Sequence, residues 1–320
     1  MTDKRLSVAP MIDWTTTEYR YFARLFNPNV YLYTEMISTG ALLHGNRARH
    51  LRFDKGEHPI VLQLGGADVN EMTQCAEFAQ QHDYDEVNIN VGCPSDRVQH
   101  NKIGACLMAE PHTVADLVRH MQAAVDIPVT VKHRIGIDDF DSYEFMHQFV
   151  ETVAAGGCTR FIVHARTAWL QGLSPKQNRE VPPLRYDDVY RLKQDFPELA
   201  IEINGGIETI ADIQNHLQHL DGVMIGRAFY HNPYLLAEAN TLWDQPVPKR
   251  SDILAQLYPH LRQQVEKGEP LSTMARHYLG LFQGLSGARK WRQALSGKPH
   301  LTVEDIEQAA FEVLQLNPDA

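Results

Sequence analysis

Cys93 lies in the run Asn88-Ile-Asn-Val-Gly-Cys-Pro94, where Gly92 and Pro94 bracket the thiol in a fixed turn. Most lone cysteines are small buried hydrophobes, which suits Cys75, Cys106 and Cys158. Cys93 differs because its turn follows a strand-like run that carries polar residues on one face. A thiol there can act as nucleophile, as thiolate or as proton donor. Arg97 is the nearest cation in sequence and no Lys or His is adjacent, so a strongly acidified thiol is not expected.

Other polar residues recur on strand-like runs. In residues 86–91, Val87, Ile89 and Val91 share one face while Asn88 and Asn90 share the other. In 128–134, Val129 and Val131 oppose Thr130, Lys132 and Arg134; in 200–204, Ile201 and Ile203 oppose Glu202 and Asn204. Gln63 and His164 fall near the ends of their own runs. A single such residue is as readily a satisfied core group as a site group. Gln63, Asn90, Lys132, His164 and Asn204 at five strand ends point instead to one shared polar site.

Two glycine turns extend it. Asn204-Gly-Gly-Ile ends one strand and precedes a helical pattern, and Gly226-Arg227 ends the next strand. Glycine lets backbone N–H groups approach a ligand closely, and Arg227 adds a charge-assisted donor. Each turn alone is weak evidence. Together, at this place in the chain, they favour a phosphate-bearing cofactor.

These residues need a scaffold. Strands are expected at 6–12, 30–35, 59–64, 86–91, 128–134, 160–165, 200–204 and 222–225, with amphipathic helical stretches between most of them, such as 70–82, 113–125, 142–155 and 209–220. Eight strands each followed by a helix-length segment predict a (β/α)8 TIM barrel over residues 1–243. A doubly wound sheet usually has fewer strands, and no G-x-G-x-x-G follows the first. The polar strand faces then point into the barrel, with their last members at the C-terminal rim. Residues 244–250 form a Pro-containing linker. Helical patterns at 251–267, 271–282, 287–295 and 303–314 predict a small all-helical C-terminal domain over 251–320.

The composition is globular, with 43% hydrophobic and 22% charged residues among 320. A net charge of −10 excludes a uniformly basic nucleic-acid binder but not a local basic patch. Residues 246–300 hold nine Lys/Arg against three acids, net +6, whereas 301–320 hold five acids and no Lys or Arg. The four cysteines show no C-x-x-C, which argues against a zinc site or a disulfide framework; no metal is expected, and a reducing cytoplasm fits. The N-terminus has no signal-like apolar core, and no run of 18 apolar residues is present, so no membrane association is expected.

The chain resembles the tRNA-dihydrouridine synthases. Ala9-Pro-Met11, Asn90-Val-Gly-Cys-Pro94, Val131-Lys-His-Arg134, His164-Ala-Arg166, Asn204-Gly-Gly206 and Gly226-Arg227 match that family in order. Tyr33-Thr-Glu-Met36, Trp169-Leu-Gln-Gly-Leu-Ser-Pro-Lys176, Asn178-Arg179 with Pro182-Pro183, and Gly287-Ala-Arg-Lys-Trp-Arg292 resemble its A-type branch. The resemblance implies that NADPH reduces FMN and that reduced FMN reduces the C5–C6 bond of uridine at tRNA positions 20 and 20a. It implies that Cys93 protonates C5, and that Ala9, Pro10 and Met11 lie against the flavin. Gln63, Lys132 and His164 would bind the ring's polar edge, with Asn204, Gly205, Gly206, Gly226 and Arg227 at the phosphate. Asn90 and Arg166 would sit by the uracil.

An acidic barrel repels RNA, so phosphate contacts must be concentrated. Lys176 and Arg179 on one loop, and Arg289, Lys290 and Arg292 on one helix, are the candidates; Arg289 and Arg292 share a face at i, i+3. A solvated helix face is the ordinary role of such a cluster. Two rivals remain: a flavin barrel acting on a free pyrimidine or another small molecule, and a tRNA-binding module without chemistry. The first leaves the basic helices without a role. The second leaves Cys93 and the polar strand ends unexplained. No protein partner is predicted.

Overall fold

The eight expected runs form eight parallel strands: β1 (Leu6–Val8), β2 (Tyr31–Ser38), β3 (Ile60–Gly65), β4 (Glu86–Val91), β5 (Val129–Arg134), β6 (Arg160–His164), β7 (Ala200–Asn204) and β8 (Gly222–Ile225). They close in chain order, with β1 pairing both β2 and β8, into a (β/α)8 barrel. The structure is a computed structural model that describes residues 3–95, 103–296 and 300–320; Arg97 lies outside them.

The alternation within each strand decides what faces in. Val87, Ile89, Val91, Val129, Val131, Ile201 and Ile203 are fully or almost fully buried in the main apolar cluster beneath the outer helices. A second, small apolar cluster of Ala9, Tyr31, Tyr33, Val61, Ile162 and Met224 is separate from it. The opposite faces of β4, β5 and β7 carry Glu86, Asn88, Asn90, Thr130, Lys132, Glu202 and Asn204. Strand register sets Asn88 beside both Gln63 and Thr130, Asn90 beside Lys132, and His164 beside both Arg134 and Asn204.

Several helices start on side-chain caps. Asp68 accepts from the amides of Asn70 and Glu71, Ser142 from Phe145, and Thr209 forms a reciprocal box with Asp212. β1 is shorter than expected because Pro10 lacks an amide hydrogen and the chain turns at once. Met11 O accepts from the amides of Trp14 and Thr15, and Asp13 has φ +64°. Below that turn, Arg20 and Glu57 form a buried ion pair at 2.6 Å, and Arg20 also donates to Thr15 O.

Beyond the irregular stretch 244–249, helices run at Arg250–Glu266, Leu271–Ala275, Ala288–Ser296 and Val303–Gln315. The expected helix at 271–282 stops at Ala275. Gly280 lies so close to His231 O that an added Cβ would come within 2.3 Å, and Gly284 and Gly287 have φ +83° and +87°. These helices pack on Thr17–Phe26, where Tyr21 stacks on His260 with ring centroids 3.6 Å apart and Phe22 meets Tyr278 at 4.6 Å. Trp291 is fully buried and donates to Tyr278 O at 2.9 Å.

Candidate active site

A cavity of about 340 Å³ opens at the C-terminal mouth of the barrel. Ala9, Pro10, Met11, Gln63, Asn90, Cys93, Lys132, His164, Asn204, Gly205, Gly206, Gly226 and Arg227 all line it. Arg179, expected on an RNA-binding loop, lines it too, as do Trp14, Met36 and Arg134, to which the sequence alone assigns no role. Arg166 does not reach the cavity. Its guanidinium donates to Pro182 O and contacts Glu180 O, so it ties down the loop after β6. Lys176 is exposed on that loop, and Arg289 and Arg292 are exposed on the helix Ala288–Ser296. Arg292 contacts Gln283 Oε1 at 3.4 Å.

The Cys93 turn is held on both sides. Asn90 Oδ1 accepts from the amides of Gly92 and Cys93 at 3.1 and 2.9 Å. Arg134 Nε donates to Gly92 O at 3.0 Å, and its Nη1 donates to Thr167 O and Asn178 O. Asn90 Nδ2 donates to Gln63 Oε1 at 2.9 Å. A uracil edge would therefore find one amide hydrogen of Asn90 free, because both Oδ1 lone pairs are engaged.

Cations surround the inner end of the cavity. Lys132 Nζ donates to Asn204 Oδ1 at 3.1 Å. Burial, then the neighbouring Arg134 charge, brings its ammonium down to about 7, against the pull of Glu202 and Cys93. Arg134 falls to about 10, chiefly by burial. His164 is driven well below the usual histidine range, first by burial and then by Arg134, Lys132, Arg166 and Arg179, so it is neutral. Lys132, Arg134 and Arg179 all interact electrostatically with Cys93. The cations near the thiol thus come from β5 and the loop after β6.

Two buried polar atoms on residues that line the cavity have no protein partner: His164 Nδ1 and Arg179 Nε. Native interiors rarely leave such atoms unmatched, which fits a ligand rich in acceptors. The glycine turns line the cavity without side chains of their own. Gly205 and Gly206 have φ +116° and +71°, and a Cβ on Gly206 would lie 2.5 Å from Leu184 Cδ1 and 2.9 Å from the Tyr186 hydroxyl. On Gly226 it would crowd Met11 Sδ at 3.3 Å and Ala9 Cβ at 3.4 Å. Arg227 is paired with Glu180 at 2.6 Å and bonds Arg179 O, so it also braces the loop over the cavity. Asn178, buried beneath that loop, exchanges hydrogen bonds with both backbone groups of Trp169 at 2.8 Å. The donor set and the glycine cradle fit a phosphorylated, acceptor-rich cofactor such as FMN. The described residues contain no cluster of His, Cys, Asp or Glu that could hold a metal, and no described helix is long and apolar enough to cross a membrane.

A tRNA-dihydrouridine(20/20a) synthase of Shewanella oneidensis is 54% identical over 318 residues, covering 98% of this chain and 95% of its own. Those of Vibrio cholerae and Synechocystis sp. are 53% and 55% identical, covering 97% and 91% of this chain and 96% and 88% of their own. Among solved structures, a 2-naphthoyl-CoA reductase in complex with 2-naphthoyl-CoA shares the barrel, with a TM-score of 0.57 and 12% identity over 74% of this chain and 50% of that one. The profile of the family described as "Dihydrouridine synthase (Dus)" matches residues 7–315. The chain belongs to the dihydrouridine synthase family.

Proposed function

We propose that this protein reduces uridine to 5,6-dihydrouridine in tRNA, at positions 20 and 20a, with FMN in the barrel cavity and NADPH as reductant. The observation that carries the reading is the meeting of two things in one cavity: a cationic, partly unpartnered donor set and a rim thiol held by its own turn. FMN, when bound, supplies the hydride chemistry. The chain's residues do the rest. Lys132 and neutral His164 bind the acceptor edge of the ring, and Lys132 stabilises negative charge there. Gly205, Gly206 and Gly226 admit the phosphate end, with Arg179 and Arg227 beside it. Cys93 holds the proton that C5 of the base receives.

The target base must leave its stack to enter the cavity. Residues 1–243 form the catalytic unit in this reading, and 251–320 form the RNA-binding one. Lys176 on the loop and Arg289, Lys290 and Arg292 on the last basic helix supply the phosphate contacts. Arg134 and Asn90 hold the Cys93 turn. Arg166 holds the loop over the site.

The test is direct. Purified protein should carry a flavin absorption spectrum. With NADPH it should add two hydrogens to a uridine in unmodified tRNA, mapped by mass spectrometry to positions 20 and 20a. Turnover of free uridine with none on tRNA would overturn the reading in favour of a small-molecule flavoenzyme.

A further inference from the structure

We infer that a one-way chain of hydrogen bonds, anchored on the Glu86 carboxylate deep in the barrel, orients the Cys93 turn at its mouth and makes Thr130 and Asn88 positioning residues for the reaction. The inference rests on the function proposed above. Its geometry is the sequence of donors. Thr130 Oγ1 donates to Glu86 Oε1 at 2.7 Å. Asn88 Nδ2 donates to Thr130 Oγ1 at 2.9 Å. Gln63 Nε2 donates to Asn88 Oδ1 at 2.8 Å, and Asn90 Nδ2 donates to Gln63 Oε1 at 2.9 Å. Asn90 Oδ1 then accepts from the amides of Gly92 and Cys93.

Every link has a fixed polarity because both ends do: the Gly92 and Cys93 amides can only donate. Glu86 is ion-paired with Lys4 and can only accept. The single hydroxyl proton of Thr130 therefore points to Glu86, and its lone pairs face Asn88. The amide nitrogen of Asn88 must turn toward Thr130, which leaves its oxygen for Gln63. The same exclusion passes to Gln63 and then to Asn90. Turning any one carboxamide over would set donor against donor on one side and acceptor against acceptor on the other. Aligned bonds of this kind strengthen one another in a low-dielectric interior. Asn88, Gln63 and Thr130 are at most 2% exposed, so water does not offer an easy alternative.

The strand rise of about 3.3 Å per residue puts Glu86 and Asn90 about 13 Å apart along β4. The chain thus runs nearly the length of β4. The carbonyl side of the Cys93 turn is held independently, by Arg134 on Gly92 O and by the Ala105 amide on Cys93 O at 2.9 Å. The amide side depends on Asn90, and it is this side that the chain sets.

Thr130→Val removes the hydroxyl at nearly constant volume, while Thr130→Ser keeps it. In the flavin-loaded protein, hydrogen exchange of the Gly92 and Cys93 amides should quicken about tenfold or more in Thr130→Val, roughly what the absence of one hydrogen bond allows. Exchange at Phe161, Ile162 and Val163 on β6 should stay within about threefold of wild type, the control for global loosening. Thr130→Ser should behave as wild type. Single-turnover uridine reduction by pre-reduced enzyme should fall about tenfold in Thr130→Val and recover in Thr130→Ser, with NADPH-driven flavin reduction kept. If Thr130→Val does not fold, Thr130→Ala makes the same comparison with a smaller side chain. Equal Gly92 and Cys93 exchange in the hydroxyl-bearing and hydroxyl-free variants would overturn the relay. A wild type that reduces no tRNA uridine would overturn the functional reading instead, and the exchange measurement would still decide the relay.

Discussion

Lys132 Nζ donates to Asn204 Oδ1 at 3.1 Å, joining β5 to the end of β7 past the intervening β6. Asn204 can present that oxygen because its Nδ2 donates to Met224 O on β8 at 2.8 Å. Three strands thereby fix one ammonium at the inner wall of the site. Burial brings that ammonium down to about 7, so a bound anion can restore its charge.

That position has a pH signature. In the free protein Lys132 loses its proton near 7. A bound anion favours the protonated form, so above that pH binding must take up a proton. Below about 7, FMN affinity should be flat with respect to this group. From 7 upward it should weaken, by at most tenfold per pH unit, until the raised pKa of the complex is reached. Lys132→Met should bind FMN more weakly and lose this slope. Titration of apoprotein with FMN across pH 6–9 measures both.

The glycine cradle predicts a steric effect. Gly206→Ala places a Cβ 2.5 Å from Leu184 Cδ1 on a residue with φ +71°. The left-handed backbone alone costs about 1–2 kcal/mol for a residue with a Cβ. FMN retention through gel filtration should drop at least tenfold, while Gly172→Ala, at φ +83° but in open space, should retain its flavin. Equal retention in both variants would place the phosphate elsewhere.

Stability should depend strongly on one buried ion pair. The Arg20 and Glu57 side chains are 5% and 0% exposed and also bind Thr15 O, Thr17 Oγ1 and the Asp54 amide. Removing one partner of such a pair leaves a buried charge and typically costs about 3–5 kcal/mol. Glu57→Ala should lower the urea midpoint accordingly. A destabilisation below about 1 kcal/mol would mean that water reaches Arg20.

The basic helix predicts a salt effect. Arg289→Ala with Arg292→Ala should weaken tRNA binding and reduce the slope of log K against log salt by about 0.7–0.9 for each phosphate no longer neutralised. NADPH oxidation with oxygen as acceptor should be unchanged, since it needs no RNA. An unaltered slope would assign RNA binding to another surface.

Much of the site is legible in the sequence because polar residues stand out within buried strands. The bounds of β4, β7 and β8 match the sequence pattern, since each has a clear alternation or a glycine at its edge. Arg134 is visible on the polar face of β5 but has no readable role, because its partners are carbonyls of Gly92, Thr167 and Asn178 on distant loops. The cations near Cys93 escape a sequence reading for the same reason: proximity along the chain singles out Arg97, whereas Lys132, Arg134 and Arg179 arrive through barrel closure. The helix expected over 271–282 ends at Ala275 and the chain goes on in separate turns, Tyr278 N to Ala275 O and Leu281 N to Tyr278 O; the close approach of Gly280 to His231 O is a tertiary contact that the helical pattern does not reveal.

The proposed reaction turns on the proton held by Cys93. Pre-reduced holoenzyme mixed with excess unmodified tRNA, followed through a single turnover by flavin absorbance and by dihydrouridine formed, isolates the step that needs its proton. Cys93→Ala should bind FMN and oxidise NADPH nearly as wild type, yet reduce uridine about two to four orders of magnitude more slowly, the usual contribution of a general acid. Cys93→Ser should retain little, because a hydroxyl is a far weaker acid than a thiol. An unaltered single-turnover rate in Cys93→Ala would contradict the account and leave Cys93 a structural residue of its turn.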